Sequence, residues 1–496
     1  MNQLLNGLQN RSNLTYTENG ALTHKSTKSM LLDMFAMGAA YRTRTESDVI
    51  LLFKNAYEEN PEYALKCLFY IRDIRGGQGE RRFFRTCYHW LAMTHPEAAQ
   101  RNMQHIPEFG RWDDLYCLLG TSLEQDMFAL LKKQFVLDLS CQTPSLLAKW
   151  LPSCNASSKE TIAKGNKTRE AFGFTQKEYR KALSVLRKRI NVLERLMSAN
   201  EWEKIEFDKI PSKAGLIYKN AFARRDIIKA KYEKFAKDEN TKVNAAVLNP
   251  VDIAHQIFNS YRPFEIDRLM WDKYWTNLKD YYNGREEKGI AIVDVSGSMS
   301  GQPMEAAVSM GAYIAERGKG PFHNHFITFS NNPELVKFEG VDLYDKFMRA
   351  RSADWGMSTN LEGVFELLLN TALRNKVPAE DMPEVIYIFS DMEFNSCLSS
   401  GRTSYDRYAR GTLRDAGQVE TLMESIERKW ANYGLALPRV VFWNLSCRHE
   451  NIPALGGRFS YVSGFSMSMV EQILSGHDGY SLMMQVLNNA RYEIIH

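Results

Sequence analysis

The chain has 496 residues, of which 44% are hydrophobic and 25% charged, with a formal net charge of +4. That length exceeds what one hydrophobic core serves, and the composition rules out global disorder. No apolar run nears the roughly 20 residues that cross a bilayer, and the polar opening MNQLLNGLQNRSNLTYTENG lacks the apolar centre of a secretory signal.

A cytoplasmic, monomeric protein with no membrane partner is therefore expected. Seven cysteines stand at 67, 87, 117, 141, 154, 397 and 447. Their number is odd and none form a CxxC pair, so reduced thiols are expected rather than disulfides or a zinc knuckle. Charge is unevenly spread. Residues 281–496 hold 20 Lys+Arg against 26 Asp+Glu, which leaves +10 for residues 1–280, and the stretch 164–242 alone carries +10. A basic first part joined to a mildly acidic second part directs any polyanion to the first.

The first 280 residues read as helices. Asn60-Pro61 has the form of an N-cap followed by proline at the first helical position. Ser122–Gln125 and Thr175–Glu178 have capping-box spacing. The polar stretch SSKETIAKGNKTREAFGF before the second box reads as a loop. Beyond it Leu183, Leu186, Ile190, Leu193 and Met197 line one apolar face, while Lys181, Lys188 and Arg195 recur every seven residues on another. Strand-like alternation is scarce, so a stack of helical hairpins is expected, about seven units at the usual ~40 residues each.

From about Tyr282-Asn283-Gly284 onward, apolar runs of strand length alternate with helical patterns. The strands are read at 289–294, 325–330, 385–390, 439–444 and 459–463, and the helices near 303–317, 361–374, 417–433 and 467–475. Such alternation predicts a parallel, doubly wound α/β sheet, whose ligands bind at the carboxyl ends of strands. The expected division is a helical domain over 1–283 and an α/β domain with a C-terminal helix over 284–496.

Two of those strand ends carry carboxylates. GIAIVDVSGSMSG puts Asp294, Ser296 and Ser298 on alternate residues after the first strand, and EVIYIFSD puts Asp391 after the third. WGMSTNLEG places Thr359 at the start of the helix between them. One carboxylate and two hydroxyls turned into one space, with a further hydroxyl and carboxylate, are hard oxygen donors of low charge. Such a set suits Mg2+ or another divalent cation and leaves a position for a partner's carboxylate or phosphate. The plainer alternative is an Asp-Ser turn capping the helix that starts near Pro303.

The set DxSxS, threonine and aspartate, in that order and on those elements, resembles the metal-ion-dependent adhesion site (MIDAS) of the von Willebrand factor A fold. It departs in having Met357 and Ser358 where many members have glycines, which bears on the loop's shape rather than on the donor. A helical module before such a domain resembles the TROVE architecture of Ro-type proteins, and especially a related branch known only as a domain of unknown function. The carrying segments are TENGALTHKSTKSMLLDMF (17–35), YIRDIRGGQGERRFFR (70–85), FGRWDDL (109–115), LLAKWLPS (146–153), residues 178–202 and 210–222, VVFWNL (440–445) and VSGFS (462–466). The resemblance implies a HEAT-like helical array, which closes into a ring in Ro-type proteins, that binds small structured or single-stranded RNA, non-coding or misfolded, as a ribonucleoprotein component rather than an enzyme.

Charge offers candidates for that role. Arg72, Arg75, Arg81 and Arg82 flank the glycine-rich turn 76–79; Lys164, Lys167 and Arg169 lie in the polar stretch; Lys181 and Lys188 follow on the helix. Phosphate neutralisation and base stacking need cations and aromatics of this kind. Asp73 and Glu80 could instead pair with the first cluster, and a charged helical face is most often simply solvated. Gly76-Gly77-Gln78 matches the tripeptide of release factors, but three residues are too few. GSMSG has Met299 where a nucleophile elbow needs serine. His323 and His325 lack a third ligand, and the tryptophans read as packing residues. Three functions stay open: an RNA-binding scaffold with a metal-dependent partner site, a protein-interaction module using that site without RNA, and a metal-dependent hydrolase. The last has no second metal cluster and no evident base apart from Glu393, two residues beyond Asp391.

Overall fold

A computed structural model describes residues 11–190, 192–245, 247–329, 333–352, 358–396, 420–476 and 478–496. The chain forms two compact units. One comprises the chain up to Thr45, Asn249–Tyr261 and Asp280–Val486; the other comprises Glu46–Leu248, Arg262–Lys279 and Leu487–His496. These units depart from the expected boundary at 283/284. The first 45 residues and Asn249–Tyr261 belong with the sheet, and the last ten residues belong with the helices.

The sheet unit holds eight described strands. β1 (Leu14–Tyr16) and β2 (Leu22–His24) make a short antiparallel hairpin. β3 (Gly289–Asp294), β4 (His325–Phe329), β5 (Glu334–Lys337), β6 (Val385–Ser390), β7 (Arg439–Asn444) and β8 (Phe459–Ser463) make one sheet in the order β5-β4-β3-β6-β7-β8. All neighbours are parallel except β5, which runs antiparallel to β4. The sheet is thus mixed rather than purely parallel. The edge strand ELVK escaped the sequence reading because it is short and mostly exposed, with Val336 its one buried residue. The five expected strands form within the described residues, and their near-continuous burial fits a sheet covered on both faces.

The helix Gln302–Arg317 lies against β3 at very short range. A Cβ on Gly311 would stand 2.3 Å from Val293 Cγ2, so only glycine allows this approach. The helix Pro250–Phe258 packs on the same helix and sets Phe258 edge-on to Phe347, with ring centroids 5.5 Å apart. The N-terminal segment joins the sheet by long-range bonds. His24 and Ile452 exchange two backbone hydrogen bonds, of 3.1 and 2.8 Å. Ser463 Oγ donates to Phe35 O at 3.1 Å. The helix Met30–Met37 starts at Ser29, whose Oγ accepts from Leu32 N–H at 3.2 Å. Buried Asp33 closes the loop before it by accepting from Thr27 N–H at 2.7 Å and Ser26 Oγ at 2.5 Å.

In the helical unit, Asn60 caps the helix Pro61–Arg72 and accepts from Tyr63 N–H at 3.1 Å, as its sequence predicts. That helix pairs with Glu46–Glu59, and Ser212–Ala223 pairs with Asp226–Lys237, in the hairpin manner expected. The Thr175–Glu178 box forms, with bonds of 2.8 and 3.3 Å. The Ser122–Gln125 box does not: the helix Glu124–Ser140 begins after Leu123, and Glu124 turns back to accept from Gly120 N–H at 2.7 Å. The stretch read as a loop is the helix Lys159–Phe172, capped by Ser158. Its amphipathic pattern is weak because its buried residues are the small Gly165 and Thr168, besides Phe172. Gly165 permits close contact with the Ser153 backbone, 2.9 Å from where its Cβ would be. The apolar face of 183–197 is divided between Gln176–Ile190 and the short helix Leu193–Ser198.

Candidate metal centre and cationic surfaces

Parallel order places the ends of β3 and β6 side by side, with Val293 opposite Phe389. From β3 the chain proceeds to β4 on one side and later returns to β6 on the other. The strand order reverses at that point, where open α/β sheets form a crevice at their carboxyl ends.

Asp294 ends β3 and is fully buried. Its Oδ1 accepts from Ser296 N–H at 2.9 Å, and its Oδ2 from Ser390 Oγ at 2.5 Å. Ser296 Oγ and Ser298 Oγ are 3.0 Å apart. Thr359 is buried just before the helix Leu361–Asn375, and Asn19 Nδ2 donates to its Oγ1 at 3.4 Å. Asp391 follows β6, fully buried, and its Oδ1 accepts from Glu393 N–H at 3.2 Å. Between them Met392 takes φ +66°, the left-handed region that a side chain of its size rarely adopts. The loop after β6 is thus a tight, specified turn.

Asp391 Oδ2 is the telling atom. It is buried, accepts no hydrogen bond, and has Arg448 Nη2 3.2 Å away. Burial, and then the neighbouring Asp391 carboxylate, pushes the Asp294 carboxyl well up from its ordinary range. Two carboxylates without full compensation, beside two or three hydroxyls, form a donor set that a divalent cation suits. Asp294, Ser296, Ser298, Thr359 and Asp391 therefore fit the metal implied by the sequence. Met357 lies outside the described residues.

Sequence reading missed the surroundings. Ser390 orients Asp294; Glu18, Asn19, Arg448 and His449 reach the site from more than 50 residues away from any strand-end ligand in sequence. Glu393 is fully buried and accepts from Glu18 N–H at 2.6 Å and Asn451 Nδ2 at 3.1 Å, with His449 Nδ1 at 3.2 Å. Burial raises its carboxyl. Ligand atoms of Glu18, Glu393 and His449 lie within 4.8 Å of one another. Only the dipeptide spacing of Asp391 and Glu393 gave any hint of this; the rest is tertiary.

The RNA candidates separate into two groups. Arg72 is buried and donates from Nε and Nη2 to the one oxygen Asp114 Oδ2, at 2.8 and 2.6 Å, so it is a structural residue and not a nucleic-acid contact. Asp114 also accepts from Arg85 Nε at 2.7 Å and Arg111 N–H at 2.8 Å. Asp73 holds Arg491, bonding its Nη2 at 2.8 Å, and accepts from Tyr492 Oη at 3.2 Å. Gln78 is buried and donates to Tyr70 Oη at 2.7 Å, while a Cβ on Gly77 would collide with Tyr70 O. The glycine-rich turn is thus a packing device. Lys164, Lys167 and Arg169 are paired with Glu160, Glu124 and Glu170 at 2.7, 3.2 and 2.7 Å.

Arg75 and Arg81 are exposed and Arg82 is half-buried; Arg75 Nη1 donates to Glu108 O. Burial, then Arg111 and Arg85, lowers Arg81 from its ordinary value, against the opposing pull of Asp113 and Asp114. Lys181 and Lys188 stand exposed on the helix Gln176–Ile190, opposite buried Tyr179, Leu183 and Leu186, as the sevenfold spacing predicts. Lys188 and Arg180 also line a cleft of about 800 Å3, together with Lys149, Arg187 and Arg195. Arg187 spends its donors on Ala148 O, Leu151 O and Ser153 Oγ at 2.8 to 3.0 Å, and Arg195 on Glu201 at 2.9 and 3.0 Å. Arg180 and Lys188 remain as the exposed cations of that wall.

Among the described residues, no helix is long and apolar enough to cross a membrane. Family models match two regions: a domain of unknown function, DUF2828, over 17–149 and 147–281, and another, DUF7788, over 288–489. The chain is 30% identical over 521 residues to the uncharacterized protein L728 of Acanthamoeba polyphaga mimivirus, a match covering 96% of this chain and 87% of that protein. Among solved structures, it is similar to the crystal structure of the Deinococcus radiodurans RO (RSR) protein, with TM-score 0.42 and 12% identity, over 93% of this chain and 99% of that one.

Proposed function

The chain belongs to the DUF2828 family, and from that premise we propose that it is a non-catalytic scaffold, whose α/β unit holds a partner through a Mg2+-type adhesion site and whose cationic helical unit binds RNA. The observation that carries the reading is the pair of buried carboxylates Asp294 and Asp391 beside the serines, with Asp391 Oδ2 accepting no hydrogen bond and ion-paired to Arg448 Nη2 at 3.2 Å. Asp294 and Asp391 would hold the ion, with Ser296, Ser298 and Thr359 as neutral donors. A bound divalent cation would supply an electrophilic position for an incoming carboxylate or phosphate oxygen. Ser390 and the Ser296 N–H fix the Asp294 carboxylate in place, whereas an ion bound by Asp391 Oδ2 would take the place of Arg448 Nη2 there.

Glu393 does not serve as a general base in this arrangement, because Glu18, Asn451 and His449 surround its oxygens. The RNA half rests on the surplus of +10 in residues 1–280 and on exposed Lys181, Lys188 and Arg180. The pairing of Lys164, Lys167 and Arg169 and the burial of Arg72 favour one second reading, a protein-interaction module that uses the metal site without RNA.

Two measurements test the proposal. Mg2+ or Mn2+ raises the melting temperature of the wild-type protein, and Asp294→Ala removes that rise while leaving RNA affinity nearly intact. Protein purified without a high-salt wash carries nucleic acid, seen as a raised 260/280 nm absorbance ratio that salt abolishes. A clean protein spectrum with no salt-dependent RNA shift selects the second reading. A metal response that survives in Asp294→Ala refutes the metal centre.

A further inference from the structure

The segment Thr17–Ala21 turns β1 into β2, and its tip lies on the strand-end site. Thr17 Oγ1 donates to Phe394 O at 2.6 Å, and Asn19 Nδ2 donates to Glu393 O at 2.5 Å and Thr359 Oγ1 at 3.4 Å. Ser396 N–H donates back to Asn19 O at 3.2 Å. The backbone of the tip is thus fastened to the two loops that carry Thr359 and Asp391. The His24 and Ile452 bridge holds the hairpin's far end on the same unit.

Glu18 stands at the centre of this tip. Its N–H is spent on Glu393. Its carboxylate lies on Arg448, with Oε2 2.7 Å from Nη2. That same Nη2 is 3.2 Å from the otherwise unsatisfied Asp391 Oδ2. One cationic nitrogen therefore touches a carboxylate oxygen of the strand end and another of the hairpin tip. A cation between two carboxylates is the arrangement a metal also makes. A guanidinium spreads a single charge over three nitrogens, whereas a divalent ion concentrates two charges and prefers hard oxygens.

We infer that Glu18 is an own-chain ligand of this metal position, so that the Thr17–Ala21 tip is the site's built-in occupant, which an acidic partner must displace. The inference rests on the metal reading proposed above. Glu18 suits the role better than Glu393. Its side chain is 47% exposed and is ion-paired to Arg448, so it can shift or leave without unpacking the core; Glu393 is buried among three polar neighbours. Tethering by Thr17 and Asn19 gives the Glu18 carboxylate a high effective concentration at the ion, which a free ligand must exceed. A partner therefore needs either several carboxylates or contacts beyond the ion.

The test uses the full chain stripped with EDTA, titrated with Mn2+ and followed by the paramagnetic resonance signal of the free ion. The wild type is compared with Asp294→Asn and Glu18→Gln. Wild type binds Mn2+ at this site and Asp294→Asn does not. Glu18→Gln binds about tenfold more weakly, the loss of one charge-assisted contact. Millimolar glutarate restores Mn2+ affinity to Glu18→Gln and leaves wild type unchanged, because the tethered carboxylate already fills the place. Melting temperatures with and without Mn2+, each variant against its own EDTA baseline, separate ligand loss from any change in fold stability. Glu18→Gln that binds Mn2+ as tightly as wild type, or glutarate that helps both equally, overturns the inference and leaves the metal centre standing. Wild type and Asp294→Asn that bind Mn2+ alike overturn the metal reading itself.

Discussion

Asp114→Ala should destabilise the helical unit far more than Arg72→Met, although the two side chains form one ion pair. Asp114 is fully buried and accepts four hydrogen bonds, from Arg72 Nε and Nη2, Arg85 Nε and the Arg111 N–H, all between 2.6 and 2.8 Å. Its removal leaves the Arg72 guanidinium, 2% exposed, as an uncompensated charge in the interior. Breaking a buried pair in this way costs about 3–5 kcal/mol. In a unit of this size each kcal/mol moves the melting temperature by about 2–4 °C, so a fall of roughly 10 °C is expected. Arg72→Met removes the charge that needs compensation and keeps most of the volume, while Asp114 retains Arg85 and the Arg111 N–H. Its cost should be about 1–3 kcal/mol, the scale of a lost hydrogen bond to a charged group. Differential scanning calorimetry of the full chain, with RNA affinity measured in parallel, reads both quantities. Equal losses for the two variants, or an RNA defect in Arg72→Met without any thermal effect, would refute the structural assignment and return Arg72 to the RNA surface.

Three further outcomes follow from the geometry. Reversing Lys181 and Lys188 together to Glu should weaken RNA binding and flatten the slope of log affinity against log salt by at least about 1.4, at ~0.7 per phosphate contact on a single strand, with the melting temperature nearly unchanged; no change in slope would make this helix face merely solvated. Gly311→Val should cost about 1–3 kcal/mol by overpacking against Val293, and with it weaken Mn2+ binding, because Val293 immediately precedes Asp294; tolerance in chemical unfolding would contradict the close approach. Burial raises the Glu287 carboxyl above its ordinary value, so the folded state holds that proton more tightly than the unfolded one. Stability then falls as pH rises from the ordinary carboxylate range through the raised value, and Glu287→Gln should remove this fall, gaining most at neutral pH and least at pH 4; identical pH profiles of unfolding for the two proteins would contradict it.

What the sequence made legible divides along physical lines. The sheet was readable because each buried strand is a short apolar run bounded by polar loops, and its end carboxylates stand out against that background. The five candidate ligands come from three loops, and all are placed at the β3, β6 and helix ends where they were expected. The hairpin 14–24 was not readable. Each of its strands has three residues, too few for a period, and its partner Ile452 is over 400 residues away. The family matches divide the chain near the expected 283/284 boundary, but the segments that fold with the other unit were not readable, since charge and helical periodicity say nothing about which surface a segment docks on. In the helical unit, Lys181 and Lys188 were legible from spacing against a leucine face. Arg72 was not, because a cation beside glycines has the same local sequence whether it meets a phosphate or a buried aspartate 42 residues away.

That last ambiguity alters how the helical half should be read. The segments 70–85 and 109–115 lie within the DUF2828 match, and they meet as one cluster in which Arg72, Arg85 and Arg111 share Asp113 and Asp114. Arg111 also stacks on Trp150, 3.9 Å from the ring centroid, which draws the segment LLAKWLPS into the same cluster. The Asp73 contacts to Arg491 and Tyr492 add the chain's last residues. The recognisable motifs of this half therefore specify its architecture, and they would be required whether or not any RNA is bound. Evidence about RNA must come from residues outside that cluster, the exposed lysines and Arg180 near the 800 Å3 cleft, whose substitution leaves the cluster whole. In the sheet unit the relation is reversed. There the motif residue Asp391 keeps a buried Oδ2 that accepts no hydrogen bond among the described residues and is paired with Arg448 Nη2 at 3.2 Å, and the proposed ligand is to be sought at this atom.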